Sequence, residues 1–351
     1  MKRARLKLNV SYNQEIDSMP NEKEQILQMI NGYMVSQALR CVAELDIAGK
    51  LVSGPKTAEQ LADSNIIPTA LHRVMRALCS VGVFAETASG FELTPLSNLL
   101  RRDVPENIWS AAVMMPNEFG KAFDYLPTAM STGEDTFKTA NGAAGWDYLM
   151  ANPDRGEIFD EMMQALHGDE TETFINAYNF GDAETVVDIG GGNGDVLTKL
   201  LDMNGHIKGV LFDRPDVVER TSSVFESSKN ERCQFIGGDF FKAVPEGGDV
   251  YIMRHIIHDW SDLKALKILK SCRAAISDSG RLLIVEGVIA PGNGPSPFKW
   301  LDLVMMLCWG GSERTEDQYA ALLKNAGFDL IRVIPTKSDV SIIECGPSAS
   351  V

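Results

Sequence analysis

Apolar residues recur at three- and four-residue spacing in the first half of the chain, as in Ile26, Ile30, Met34 and Ala38 and again in Leu71, Val74, Met75 and Leu78. That period predicts amphipathic helices. Thr57 followed three residues later by Gln60 forms a capping box for a short helix, and Pro68-Thr69 opens a second helix that stops at Gly82. Val83 to Ala85, a turn over Thr87 to Gly90, and Phe91 to Leu93 then predict a small hairpin, after which Thr94-Pro95 starts another helix. Helix, helix and hairpin in this order form a winged-helix pattern.

From Ala183 the pattern changes to short β-rich runs separated by helical sequence: Thr185 to Ile189, Gly209 to Phe212, Cys233 to Gly237, Val250 to Arg254 and Arg281 to Glu286. Strands alternating with helices predict an α/β fold with a parallel, doubly wound sheet. Phe328 to Ile334 and Val340 to Cys345 are separated only by Pro335 to Asp339, a spacing that suits an antiparallel hairpin at the sheet edge. The boundary falls near residues 176 to 183. The expected organisation is thus a mostly helical domain over 1–176 and a ligand-binding α/β domain over 177–351.

A length of 351 residues accommodates two such domains. Lys and Arg total 33 against 48 Asp and Glu, a formal net charge of -15, so the surface repels phosphate backbones. His72, Arg73 and Arg76 are the only basic residues on the helix a winged helix would place in a DNA groove, so packing or dimerisation is the preferred role of that module. The cysteines Cys41, Cys79, Cys233, Cys272, Cys308 and Cys345 form no C-x-x-C pair and no zinc spacing. Neither a ligand cluster for a metal nor a disulfide framework is expected. The basic opening MKRARLKLNV is followed by polar sequence where a secretory signal would turn apolar, and the longest apolar run, Leu301 to Trp309, contains Asp302. A soluble, cytoplasmic protein is expected.

The strongest local signal is Asp188-Ile189-Gly190-Gly191-Gly192-Asn193-Gly194, a buried strand ending in a glycine turn with a helix starting near Asp195. Such a turn lets a ligand approach the backbone. Its Gly190-x-Gly192-x-Gly194 spacing differs from the G-x-G-x-x-G of dinucleotide sites, and no Gly-Lys-Ser/Thr follows, so a ligand without a phosphate is favoured. Asp213 ends the next strand, where a carboxylate can hold both hydroxyls of a ribose. Asp239, in Gly237-Gly238-Asp239-Phe240-Phe241, closes the third strand, where it can accept from an adenine amino group while Phe240 covers the ring. The fourth strand runs into Arg254-His255-Ile256-Ile257-His258-Asp259-Trp260-Ser261-Asp262, with Ser261 as the expected cap of the next helix. His258 therefore stands at the carboxyl edge of the sheet and is a candidate general base.

DIGGGNG, LFDRPDVV, GDFF, RHIIHDWSD, LLIVEGVI, DLVMM and GGSERTEDQY follow one another in this order. Residues 183 to 345 thereby resemble the cation-independent, S-adenosylmethionine-dependent O-methyltransferases of small molecules, the family of plant caffeic acid methyltransferases and bacterial antibiotic-tailoring enzymes. The N-terminal half resembles the family's winged-helix-like dimerisation domain, more weakly before residue 100. The resemblance implies a Rossmann-like methyltransferase sheet, a homodimer, S-adenosylmethionine as cofactor and a phenolic or polyketide-like acceptor. It implies that Asp188, Gly190, Gly192, Asp213, Arg214, Gly238, Asp239, Phe240 and Arg254 hold the cofactor. It also implies that His258 is the general base, beside Asp259, with Glu286 and Glu313 flanking and orienting it. For the acceptor it suggests Met115, Phe119, Trp146, Met162, Met163, Leu166 and His167, with Asp302, Met305 and Met306. Trp309 stands where some plant members carry polar residues, which argues against a phenylpropanoid acceptor.

Rival readings leave distinct traces. Amino-methylating enzymes of nucleic acids generally carry N/D-P-P-Y/F after the fourth strand, where this chain reads Arg254-His255-Ile256-Ile257. Some members of the resembling family hydroxylate or decarboxylate related substrates, and a cofactor-binding winged-helix regulator is a further alternative. Product mass and duplex binding separate these from methyl transfer.

Overall fold

The computed structural model describes residues 21–168, 170–225 and 231–349, so the basic opening segment lies outside the described residues. The described residues form two compact units, one within 21–121 and 146–166, the other within 122–145 and 167–349.

In the first unit the helix Glu22–Glu44 opens with a capping box in which Asn21 Oδ1 accepts from the Glu24 N–H at 3.0 Å. The predicted short helix is Ala58–Leu61, where Gln60 Oε1 accepts from the Thr57 N–H at 2.9 Å, and the next is Pro68–Ser80. Strands β1 (Phe84–Thr87) and β2 (Gly90–Leu93) form the predicted antiparallel hairpin, and Thr94 caps the helix Pro95–Asn98. Leu71, Met75 and Leu78 pack with Val42, Ile47, Leu61, Phe84 and Phe91 in one core. The stripe Ile26, Ile30 and Met34 behaves differently: together with Leu27, Met29 and Tyr33 it is between 46% and 72% exposed. The helical period holds for this segment, but its apolar face finds no cover among the described residues.

The second unit is built on a seven-stranded sheet: β3 (Thr185–Ile189), β4 (Lys208–Asp213), β5 (Cys233–Gly237), β6 (Val250–Arg254), β7 (Arg281–Glu286), β8 (Phe328–Pro335) and β9 (Ser341–Pro347). Their spatial order is β5-β4-β3-β6-β7-β9-β8. The first five are mutually parallel, whereas β9 runs antiparallel to both β7 and β8 and so inserts the chain's last strand inside the edge. Val186, Val187, Ile252, Met253, Leu283 and Ile284 are fully buried because helices cover both sheet faces. The helices Asp262–Ala275 and Glu316–Ala326 supply Ile268, Leu269, Tyr319 and Leu323 on one face, and Asp195–Met203 supplies Leu197, Leu200 and Leu201 on the other. Cutting such a Leu to Ala typically costs about 2–5 kcal/mol. Ser261 does precede the helix Asp262–Ala275, but its side chain makes no cap bond; its carbonyl accepts from the Lys264 and Ala265 N–H groups instead. The switch in strand order beside β3 places the carboxyl ends of β3, β4, β5 and β6 along one edge, where doubly wound folds bind ligands.

Candidate active site

The turn after β3 is made by backbone. Gly190, Gly192 and Gly194 have φ of +72°, +53° and +78°, the left-handed region that side chains resist, and a Cβ at Gly190 would overlap Ile256. The Gly190 N–H donates to the Phe212 carbonyl at 2.7 Å, tying the turn to β4. Asp213 Oδ2 accepts from the Gly192 N–H at 2.9 Å and Oδ1 from the Arg214 N–H at 2.7 Å, so that carboxylate braces the same turn. The Arg214 guanidinium is engaged with Asp216 at 2.8 Å.

Asp188 is buried, and its Oδ2 has no hydrogen-bond partner among the described residues. Burial pushes its carboxyl up to about 7, against the pull of Arg254. Arg254 donates from Nη1 to Thr171 Oγ1 at 2.5 Å, and Thr171 donates on to Asp195 Oδ2 at 2.5 Å. Asp239 Oδ1 accepts from the Phe241 N–H at 3.0 Å while Oδ2 meets Lys242 at 3.1 Å. Gly238 and Asp239 line a surface cavity of about 330 Å³ whose walls include Phe212, Ile236 and Val244. Phe240 is not on that wall; it packs edge-on against Phe241 and Trp260.

The loop after β6 is made by side chains brought from distant positions. His258 sits on the single turn Ile257–Asp259 and is 6% exposed. Its Nδ1 lies 2.6 Å from Glu313 Oε1, and its Nε2 is 3.6 Å from Asp259 Oδ1, too far for a hydrogen bond. Burial pushes the imidazole pKa down. The hydrogen bond to Glu313 and the charges of Asp259, Glu286 and Glu313 outweigh it and raise the value to about 10. Burial, in turn, raises the carboxyls of Glu313 and Asp259, the latter to about 7.

Glu286 does not touch the imidazole among its hydrogen bonds. Its Oε1 accepts from the backbone N–H groups of Ile256, Ile257 and His258 at 3.0, 2.6 and 3.2 Å, and its Oε2 accepts from the Tyr319 hydroxyl at 2.5 Å. The two glutamates expected to orient His258 thus act at different points, since Glu286 shapes the loop and Glu313 meets the ring. Asp302 Oδ1 accepts from the Glu313 N–H at 2.9 Å and steadies that residue in turn. Tyr319, Thr171 and Glu170 were missed by sequence reasoning, since a helical tyrosine and helical polar residues carry no local signal of a site.

Of the other residues suggested for an acceptor, Met115, Phe119, Trp146, Met162, Met163 and Leu166 belong to the first unit. There Met115 and Phe119 lie on a π-helical turn, Met162 is fully buried, Trp146 packs edge-on to Phe159, and Leu166 is exposed. His167, Asp302, Met305 and Met306 belong to the second unit, where Met305 is buried. Sequence spacing shows no ligand cluster for a metal, yet the fold gathers three candidate ligands. Glu170 receives His167 Nδ1 at 3.1 Å on one oxygen and His255 Nε2 at 2.7 Å on the other.

The family profile described as the O-methyltransferase domain matches residues 123–329, and that of the O-methyltransferase dimerisation domain matches residues 27–103. The chain belongs to the O-methyltransferase family. Among its relatives is a phenazine O-methyltransferase, PhzM, of Lysobacter antibioticus, 39% identical over 92% of this chain and 95% of that protein. The solved structure of the mitomycin 7-O-methyltransferase MmcR is 30% identical, with a TM-score of 0.87 over 93% of this chain and 98% of that one. An O-methyltransferase from neocarzinostatin biosynthesis, solved with S-adenosylmethionine and 2-hydroxy-5-methyl naphthoic acid, is 27% identical with a TM-score of 0.81, covering 89% and 96% of the two chains. The O-methyltransferase assignment accords with the mostly parallel sheet, its antiparallel hairpin and the helical N-terminal unit. No helix among the described residues is long and apolar enough to cross a membrane.

Proposed function

We propose that this O-methyltransferase transfers a methyl group from S-adenosylmethionine to a phenolic hydroxyl of a small aromatic or polyketide-like metabolite, with His258 as general base. The observation that carries this reading is the 2.6 Å contact between His258 Nδ1 and Glu313 at the sheet edge shared with the glycine turn.

The residues along that edge suit the cofactor. The unpartnered Asp188 Oδ2 is an acceptor for an ammonium group, the backbone of Gly190 to Gly192 admits a close ligand, and Asp213 and Asp239 are spaced for ribose and adenine polar groups. Arg254, fixed through Thr171, supports this end of the site. When bound, S-adenosylmethionine supplies an electrophilic methyl carbon on a sulfonium. The chain holds the acceptor oxygen in line and takes its proton. With Glu313 accepting from Nδ1–H, the lone pair of the neutral ring is on Nε2, where no hydrogen bond engages it among the described residues. A phenol has a pKa near 10, so the unprotonated form of a base raised to about 10 accepts its proton at little free-energy cost, and the population of that form grows as pH rises toward that value. Glu313 stabilises the imidazolium formed, and Asp259 adds a second negative charge 3.6 Å away. Positioning supplies much of the rest, since effective molarities reach about 10⁵ to 10⁸ M in favourable systems.

Assembly as a homodimer is supported by the uncovered face of Glu22–Glu44, a contiguous apolar patch of the kind that marks a protein interface. The dimerisation profile overlaps it.

The test incubates the full chain with methyl-labelled cofactor and a panel of phenols, quinols and polyketide aglycones, and locates the label by mass and fragmentation. Transfer to a ring hydroxyl is expected. A product with added oxygen or lost carbon dioxide, or no labelled product from any acceptor while cofactor binding is intact, overturns the proposal.

A further inference from the structure

We infer that His167, Glu170 and His255 form a binding site for one divalent transition-metal ion of the imidazole-seeking kind, such as Zn²⁺. The inference is independent of methyl transfer. His167 ends the helix Pro153–His167, Glu170 opens the helix Glu170–Ala177, and His255 stands on the loop after β6. One ligand atom from each of the three lies within 4.8 Å of the others. The two rings lie next to each other, centroids 4.2 Å apart, and each meets a different oxygen of one carboxylate, at 3.1 and 2.7 Å. Ligand atoms of a tetrahedral zinc ion at about 2.0–2.1 Å from the metal stand roughly 3.3 Å from one another, so small side-chain rotations seat the ion.

Two imidazoles and a carboxylate are nitrogen and oxygen donors of the type that selects Zn²⁺, Co²⁺ or Ni²⁺ over Mg²⁺ and Ca²⁺, and three protein ligands leave the fourth position open. A histidine kept only for its hydrogen bonds ordinarily satisfies both ring nitrogens when buried. Here Nε2–H of His255 donates to Glu170, while Nδ1 is buried with no partner among the described residues; a cation at the carboxylate would displace the Nε2 proton, leaving the neutral ring protonated on Nδ1. His255 also holds a left-handed backbone, φ +53°, which aims the ring from the loop toward Glu170. Its centroid is 5.1 Å from that of His258, which is not one of the three ligands, so the ion would neighbour the proposed base without being held by it.

The test uses the full chain stripped of metal with a chelator and titrated with Zn²⁺ in competition with a chromophoric chelator. Co²⁺ absorption reports coordination geometry. One equivalent of Zn²⁺ is expected to bind with a dissociation constant of about 10 µM or tighter, with a visible four- or five-coordinate Co²⁺ band and a rise in melting temperature. His167→Ala, Glu170→Gln and His255→Ala should each weaken binding at least about tenfold and abolish that rise. His167→Gln at a half-buried position serves where a deeper variant does not fold, as judged by its metal-free melting curve. Absence of a saturating equivalent, or unchanged affinity in the folded variants, overturns the inference.

Discussion

The turn after β3 and the loop after β6 lie side by side on one sheet edge, yet they are built on opposite plans. The turn is backbone, drawn from five consecutive residues, and depends on left-handed glycines. The loop is a scaffold for one imidazole and depends on Glu286, Glu313 and Tyr319, which lie far along the chain. A backbone site is lost by adding one carbon atom, whereas a side-chain site is lost by removing one charge. The two plans meet at Gly190, where the side chain of Ile256 from the loop fills the space that a Cβ would take.

Replacing His258 with Gln should separate the two regions most sharply. Turnover is expected to fall by about 10² to 10⁴-fold, while calorimetric affinity for the cofactor stays within a factor of about three, because the glycine turn is untouched. Undiminished turnover would sink the assignment of the base.

Glu286→Ala attacks the loop's frame rather than its ring. It strands the buried backbone N–H groups of Ile257 and His258, the half-buried one of Ile256 and the Tyr319 hydroxyl, so a loss of about 3 kcal/mol or more in unfolding free energy is expected by denaturant titration. A loss below about 1 kcal/mol would mean that the loop finds other acceptors.

Gly190→Ala turns the same question on the other region. The backbone at φ +72° and the overlap with Ile256 together should cost about 1–3 kcal/mol and weaken cofactor affinity at least about tenfold. Adding Ile256→Val relieves the overlap but not the backbone, so the double variant should recover part of both losses. Full additivity would show that the turn and loop are not coupled through this contact.

These contrasts also explain what could be read from the chain beforehand. Thr185–Ile189 ending in glycines is local, so the strand, the turn and the helix start at Asp195 all follow from adjacent residues. The burial of β6 and β7 follows from their unbroken apolar runs. His258 was visible as a strand-end histidine, but the division of labour between Glu286 and Glu313 was not, because which glutamate meets the ring depends on how β7 and the segment before Glu316–Ala326 converge. The His167, Glu170 and His255 group escaped notice for the same reason, its members being joined only by the fold. On Glu22–Glu44 the helical period holds, but period alone does not tell an apolar face that packs inside one chain from one left exposed.

Glu313→Gln should produce the smallest effect, and its sign tests the electrostatics of the loop. A base must be unprotonated to act, so below its pKa the rate rises about tenfold per pH unit, and a value raised to about 10 places that limb well above neutrality. Glutamine removes the carboxylate whose hydrogen bond and charge raise the His258 value, while the remaining burial pulls it down, so the limb must move to lower pH. Its amide can still accept from Nδ1–H through oxygen, which preserves the tautomer and limits the fall in the plateau rate to roughly tenfold. A limb that stays in place would show that the titrating group is not His258; a limb that moves upward would show that Glu313 is held uncharged beside the ring.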